Sequence, residues 1–515
     1  MEKLHDVIIV GAGPGGLQVA VSLKELSDEY NQKLDLLMIE SGKQAGTFYT
    51  KYPVHGQLIS NNKLYTGKPP KSRFSERFDW NSLLTKEKKI MMRNYSREFF
   101  PRREALVEML NDLVAEYELP VMYNTMWKAT RKTEQGYFEV ETDKGKLYCK
   151  FLVIATGMTP NPPPIPGLEL TTPYHEMKKK EHYRDKRVLI IGKGNSGMEC
   201  VQEILNEANL IMVASRHSTR MAYKTHYVGD VRAVNSLLVD NYQLKHQAAL
   251  LDCDILNIEK VDEGFNVTVH YKHAEDEKEV LFFNEIIAAT GFRSNIDHLV
   301  KDLNLKIINK KYPSISGVFE STEVSNLFFA GTQTHGLDYR KTSSGFIHGF
   351  RYNSKVLAHK IADRLEFPMK NLTISNEEVV GHILGELTEA SDPYLQPGFI
   401  VYVMKYEAGM WNILGYQTII EFENKPLQEE EVLLAASLEY GDIHKFADPL
   451  NIPRVPGQPE ESVHIHPVVR VRKGENVIEK LDLEEHLENQ FMDLPTYHQH
   501  LGEFLKAMLG TKINI

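Results

Sequence analysis

Cysteine is nearly absent from this chain. Three residues in 515, at Cys149, Cys200 and Cys253, form an odd set with no C-x-x-C spacing. That excludes a disulfide framework, argues against a redox dithiol of the disulfide-reductase kind, and fits a reducing cytoplasm. Long apolar runs are also lacking: none reaches the roughly 18 residues of a membrane span. A concentrated basic face is missing as well. Lys and Arg number 60 against 70 Asp and Glu, the net charge is -10, and the longest basic run, Lys178–Lys180, is followed by Glu181. A nucleic-acid partner is therefore not expected. The start, Met1–His5, has no basic n-region or apolar h-region, so no secretory signal is expected. The end, Lys512–Ile515, is neither a retention nor a prenylation signal. His464 and His466 alternate, as on one side of a strand, but two histidines without a further ligand make no metal site.

What is present is a long soluble-type chain with glycine-rich turns. A hydrophobic fraction of 42% and a charged fraction of 25% are ordinary for globular proteins. The length exceeds one hydrophobic core and predicts two or three domains. Asp6–Val10 is a β-branched run that predicts a buried parallel strand. Directly after it, Gly11, Gly13 and Gly16 complete a G-x-G-x-x-G turn containing Pro14, and Leu17–Leu23 continues as an apolar helix. Gly11 permits the tight turn, Gly13 lets backbone approach a pyrophosphate, and Gly16 lets helix pack on strand. The helix N-terminus offers free N–H groups and a positive dipole to phosphate. A second strand over Leu34–Ile39 ends at Glu40, an acid placed to accept from the ribose hydroxyls of an adenosine.

The pattern recurs once. Arg187–Ile191 predicts a strand, and Gly192, Gly194, Asn195, Ser196 and Gly197 repeat the turn. The next strand, Leu210–Ala214, runs into Ser215 and Arg216 rather than an acid. A carboxylate there would repel a 2′-phosphate, whereas a hydroxyl and a guanidinium bind one, so NADPH is preferred over NADH. Surface charge is the other reading of Arg216 and Arg220. Two such modules imply two bound dinucleotides.

Further segments carry a family resemblance. Thr156 and Gly157 close one A-T-G turn and Thr290 and Gly291 close another; a proline-rich stretch, Asn161–Gly167, follows the first. These resemble the two crossings between the FAD and NADP domains of two-dinucleotide flavoproteins, with the prolines as a stiff hinge. Asn326–Gly331 resembles the last FAD-domain strand, and a flavin-facing helix would then begin near Ser344, Gly345 and Phe346. Gly192–Glu199 is similar to the flavin-containing monooxygenase pattern G-x-G-N-S-G. Tyr52–Lys63, Asp79–Leu84, Leu337–Lys341 and Gly345–Tyr352 resemble the FAD-dependent oxidoreductase domain-containing proteins. The monooxygenase fingerprint F-x-G-x-x-x-H-x-x-x-aromatic is not cleanly present, since His175 and His182 are wrongly spaced.

The resemblance implies an α/β fold of two Rossmann-like domains, with a smaller C-terminal α+β region. The FAD domain would take residues 1–160 and 286–365, the inserted NADP domain 168–285, and the C-terminal region 366–515. It implies FAD and NADPH as cofactors, O2 and a small molecule as substrates, and oxygen insertion through a flavin C4a-hydroperoxide. Asn62, or its neighbour Asn61, would donate a hydrogen bond beside the flavin; an Asn-rich turn is the other reading. Asp338, Arg340, Lys341 and His348 form a polar cluster ahead of the flavin-facing helix. They would supply a general acid or a substrate-carboxylate site, or else an interdomain salt-bridge network. In the C-terminal third, Phe399–Val403 and Thr418–Phe422 read as strands, and Leu481–Phe491 and Tyr497–Leu509 as helices. That region would act as a lid or form a homodimer. An NADPH oxidase, a flavin-dependent halogenase, and a non-catalytic flavin-binding partner protein remain the rival functions.

Overall fold

The computed structural model describes residues 3–243, 249–370, 372–429, 431–445, 448, 451–474 and 477–510. The terminal residues 1–2 and 512–515 considered above lie outside this set. The strand Leu4–Val10 is almost wholly apolar beyond Asp6 and buried along its second half. A parallel strand covered by helices on both faces requires such a run. It pairs in parallel with Leu36–Ile39 on one side and with Gly145–Ile154 on the other, so Ile9 lies opposite Met38 and Val153. The sheet then receives Leu327–Phe329 beside Gly145–Ile154. Between those two strands the chain leaves and builds a second parallel sheet.

That second sheet centres on Arg187–Ile191, flanked by Leu210–Ser215 and Glu285–Ala288, with Ala249–Asp252 outside. A three-stranded antiparallel sheet over Asp254–Phe283 joins Ala249–Asp252 to Glu285–Ala288. The outward and return crossings lie side by side: Met158–Pro160 pairs antiparallel with Phe292–Ser294. The two A-T-G turns immediately precede these short strands.

The C-terminal region is a six-stranded antiparallel sheet, with helices Val379–Glu389 and Pro495–Leu509 sharing one apolar core with it. Two elements differ from expectation. Thr418–Phe422 is not a strand: Thr418 caps a helix, Ile419–Asn424, its hydroxyl accepting the Glu421 N–H at 3.2 Å. The Thr418 N-cap overrides the β-branched composition of Ile419 and Ile420. Leu481–Phe491 is not a helix: Leu481 and Asp482 end an edge strand, Val477–Asp482, where Leu481 faces Val469. Alternation at Leu481 and Leu483, both turned inward, decides in favour of the strand. His464 and His466 do not share a strand, since the strand begins at His466, which is buried, donates from Nδ1 to the His464 carbonyl at 2.9 Å and places Nε2 3.3 Å from the Asp482 carboxylate.

Three ties fix this region to the first sheet and its neighbouring segment 73–77. Leu395, Phe399 and Ile400 belong to the same apolar core as Leu4–Val10. Arg73 forms a bidentate pair with Glu386 at 2.8 Å, and Arg77, almost fully buried, donates to the carbonyls of Leu387 and Ala390.

Candidate active site

The first turn is built as its glycines require. Gly11 holds φ +107, and a Cβ on it would stand 2.4 Å from the Ala155 carbonyl oxygen. Gly16 has no room either: its Cβ would meet Gly11 O at 2.1 Å, so helix Pro14–Glu29 lies directly on the turn. That helix has Pro14 in its first turn, no side-chain cap and no acid there, which leaves its leading N–H groups to a ligand. Glu40 is buried and oriented, accepting from Ala12 N–H at 2.9 Å and Gly42 N–H at 2.7 Å.

Gly11, Gly13, Pro14, Glu40, Thr156, Gly157 and Gly331 line one cavity of about 430 Å³. The sequence did not single out several of its other walls: Phe48, Trp127, Asn295, Thr332 and Phe350. Thr332 lies three residues beyond the end of the strand Leu327–Phe329, and strand C-termini are where α/β sheets bind ligands, so that signal is present in the sequence. The cavity fits a dinucleotide. No atom lies within 4 Å of a Cβ built on Gly13 or Gly157, and Thr332 Oγ1 and Gln333 Oε1 are buried without a partner among the described residues.

The second turn repeats the geometry. Gly192 holds φ +119 with a built Cβ 2.2 Å from Ala289 O, and Gly197 packs against Gly192 O. Helix Asn195–Ile204 again lacks a side-chain cap and an acid in its first turn. Ser196, Thr290 and Gly291 line a separate cavity of about 550 Å³, walled by Tyr52, Phe292 and the prolines of the hinge. Arg216 is exposed and donates from Nε to Asp254 at 2.6 Å, which leaves its terminal nitrogens for a ligand; the Ser215 hydroxyl donates to the His217 carbonyl. Asn195 takes a different part. Its amide accepts from Arg232 N–H at 3.0 Å and Asn235 Nδ2 at 2.9 Å, and donates to the carbonyls of Asp230 and Gly229. It braces loop 229–235 and is fully engaged there.

That loop crosses to the other sheet. Arg232 donates to the Ile59 carbonyl at 3.0 Å and to Asn61 Oδ1 at 3.4 Å, and its guanidinium lies over Trp80. Asp230 receives Arg340 at 2.6 Å. Tyr227 meets His335 Nε2 at 2.8 Å, and His335 Nδ1 meets Asp338 at 3.0 Å. Burial, and then Asp338, raise the Tyr227 hydroxyl above its usual range, so it stays protonated and donates. Tyr227 and His335 stand 108 residues apart, and no local pattern in the sequence pointed to them.

The predicted polar residues separate into distinct roles. Asp338 accepts from His335, Thr342 and the Ser344 N–H, and Arg340 joins the interdomain network, while Lys341 is exposed. His348 lies in helix Ile347–Arg364, stacked 4.1 Å from Trp80 and 5.7 Å from Phe346. Neither of its ring nitrogens has a partner among the described residues. Burial, with Arg351 and Arg232 nearby, pushes this imidazole well below its ordinary range, so it is neutral at pH 7. Phe346 precedes the helix as its N-cap, and the ring of His335 leaves little room beside Gly345. Asn62 uses both amide hydrogens on the carbonyls of Ser96 and Glu98, each at 3.0 Å. The expectation of a free donor therefore moves from Asn62 to Asn61, whose amide is engaged only as an acceptor among the described residues.

A titratable pair lies between the two halves. Glu199, on the second nucleotide helix, accepts from Tyr174 at 3.0 Å and stands 3.9 Å from His55. Burial pushes the Glu199 carboxyl up from 4.5 to about 7, against the hydrogen bonds from Tyr174 and Asn235. The folded protein keeps a proton that the unfolded chain releases above pH 4.5. That contribution, at most about 3 kcal/mol, is full below pH 4.5 and lost as pH rises through about 7. Glu199→Gln should match the parent protein in thermal stability near pH 4.5 and exceed it near pH 8. Equal differences at both pH values would contradict this. Burial and the neighbouring Arg102 and Arg103 depress His55 to about 4, but that effect is common to both proteins and cancels.

Comparison with known proteins agrees with this architecture. Residues 8–331 match the family model described as pyridine nucleotide-disulphide oxidoreductase. FAD-dependent oxidoreductase domain-containing protein 2 of Mus musculus is 32% identical over 479 residues, covering 85% of this chain and 69% of that protein. Bacilliredoxin reductase Bdr of Bacillus subtilis (strain 168) is 25% identical over 365 residues, 70% of this chain and 98% of its own. The flavin-containing monooxygenase structure from Stenotrophomonas maltophilia superposes with a TM-score of 0.52 at 17% identity, covering 71% of this chain and all of that one. No described helix is long and apolar enough to cross a membrane. With two dinucleotide cradles, two parallel sheets and this match over more than half its length, the chain belongs to the pyridine nucleotide-disulphide oxidoreductase family, and FAD and NADP(H) are its cofactors.

Proposed function

We propose that this protein is an NADPH-dependent flavin monooxygenase that inserts oxygen from O2 into a small molecule. The bound flavin supplies redox reactivity, accepting hydride from the nicotinamide and passing electrons to oxygen. The observation that carries the reading is where the cysteines lie. Cys149, Cys200 and Cys253 are all buried, and none lines the first cavity. Burial raises all three thiols, Cys253 to about 11. The chain thus offers no reactive dithiol to take electrons onward, and an external acceptor is required.

Its own residues supply orientation and water exclusion. The turn at Gly11–Gly16 and Glu40 would hold the adenosine and pyrophosphate of FAD, and the turn at Gly192–Gly197 those of NADPH. Neutral His348, stacked on Trp80 and Phe346, would offer one donor and one acceptor from a buried position. Asn61 adds an amide donor, and the Tyr227–His335–Asp338 chain holds the two halves in one arrangement.

The test measures NADPH use and peroxide yield under ¹⁸O₂, with amines, hydroxylamines and thiols in turn. A product carrying ¹⁸O, with peroxide falling in proportion, supports oxygenation. Peroxide stoichiometric with NADPH for every compound would leave an NADPH oxidase. The likeness to bacilliredoxin reductase over nearly its full length favours a second reading, electron transfer to an external disulfide. Disulfide-dependent NADPH oxidation without O2 would establish it.

Nucleotide choice is tested separately. Arg216→Ala should raise the KM for NADPH by about tenfold or more while NADH changes little, because the guanidinium's role is to pair with the 2′-phosphate. Equal losses with both nucleotides would remove that role.

A further inference from the structure

The C-terminal region reaches the flavin-side turn through one side chain. Gln396 follows the short helix Asp392–Leu395 and is fully buried. Its Oε1 accepts the Ser343 N–H at 2.9 Å, and its Nε2 donates to Ser344 Oγ at 2.9 Å and Asn353 Oδ1 at 3.0 Å. Asn353 in turn donates to Thr334 Oγ1 at 2.9 Å and Ser344 Oγ at 2.8 Å. Ser344, Asn353 and Thr334 are at most 1% exposed. One satisfied buried network therefore joins the turn after the last strand, the turn before helix Ile347–Arg364, and the second turn of that helix.

Beside this network some polar groups are engaged and others are buried without a partner among the described residues. The Ser343 and Ser344 N–H groups are taken, by Gln396 and Asp338. The helix that follows has no side-chain cap and no acid in its first turn. Among the described residues, His348 within that first turn has two unpartnered buried nitrogens, and Gln333 Oε1 beside Thr334 is unpartnered as well. We propose that Gln396 is a positioning residue for FAD. It would set the 343–346 turn so that the uncapped N-terminus of helix Ile347–Arg364 stabilises the negative charge that a bound flavin gains on reduction, which would make the C-terminal region part of the flavin site. This rests on FAD as the cofactor and on the helix Ile347–Arg364 as its neighbour.

The experiment uses the full-length chain. Apoprotein is titrated with FAD by fluorescence quenching, and the flavin midpoint potential and visible circular dichroism are recorded. Gln396→Leu should weaken FAD binding about tenfold or more, make the potential more negative, and alter the flavin dichroism. Gln396→Glu keeps the acceptor for Ser343 and should fall between the two. Ser344→Ala removes the same network from the other side and should reproduce the shift; the double variant should lose less than the sum. If Gln396→Leu does not fold, Ser344→Ala and Gln396→Glu decide the matter through the potential. Unchanged affinity and potential in the folded variants, or an affinity loss with potential and dichroism unmoved, would overturn the proposal. Parent protein that binds no FAD would instead remove the cofactor reading beneath it.

Discussion

Gly11→Ala is expected to purify colourless. Gly11 sits at φ +107, a conformation that costs an L-residue about 1–2 kcal/mol. The added methyl would also stand 2.4 Å from the carbonyl oxygen of Ala155. That oxygen belongs to backbone at the end of the central strand Gly145–Ile154, and Ala155 N–H is itself bonded to Val10 O, so neither side can yield cheaply. The turn must open, and the N–H groups of helix Pro14–Glu29 then leave the pyrophosphate position. The bound-flavin ratio, read from absorbance at visible and ultraviolet wavelengths, should fall to below about a tenth of the parent value. The strands still pair through Val10, so far-ultraviolet circular dichroism should change little. Stoichiometric flavin in this variant would mean that the cofactor sits elsewhere.

Arg351→Leu is expected to cause the largest loss of stability. Arg351 is buried in the helix beside the flavin turn and donates to the carbonyls of Asp79 and Ser82 at 2.8 Å, to that of Glu76 at 3.0 Å, and to the Tyr352 hydroxyl at 2.9 Å. Leucine would leave the Asp79 and Ser82 carbonyls without a donor, while the Glu76 carbonyl keeps the Asp79 N–H at 3.2 Å. Each stranded carbonyl costs about 1–3 kcal/mol, so a loss of about 2 kcal/mol or more is expected. The segment also carries Trp80, which packs on His348 and Arg232. The flavin spectrum should therefore shift in the variant even where it remains folded. A urea midpoint and a spectrum equal to the parent's would show that segment 76–82 holds its place without Arg351.

The two glycine turns are legible because their physics is local. A turn needing φ > 0 and close backbone approach demands glycine within six residues, so Gly11–Gly16 and Gly192–Gly197 mark both turns, and Glu40 stands at the strand end. Sites assembled over long separations were not legible. Tyr227, His335 and Gln396 have ordinary neighbours, and only the packed sheets bring them together. Asn195 shows the limit from the other side. Its motif position suggested a cofactor ligand, yet its amide is fully engaged by loop 229–235. In the C-terminal third, composition points the wrong way at Thr418–Phe422 and Leu481–Phe491: the first carries an N-cap at Thr418 and the second begins with strand alternation. The resemblance to flavin monooxygenases places a helix start near Ser344–Phe346, and the observed helix begins directly after, at Ile347.

The central claim is that two cradles hold FAD and NADPH so that electrons pass from one to the other. Anaerobic mixing of the purified, FAD-loaded protein with NADPH tests it most directly. The account predicts that the flavin absorbance bleaches, with one NADPH consumed per flavin and a slower reaction with NADH. Flavin that stays oxidised under NADPH, yet is bleached by dithionite, would contradict it.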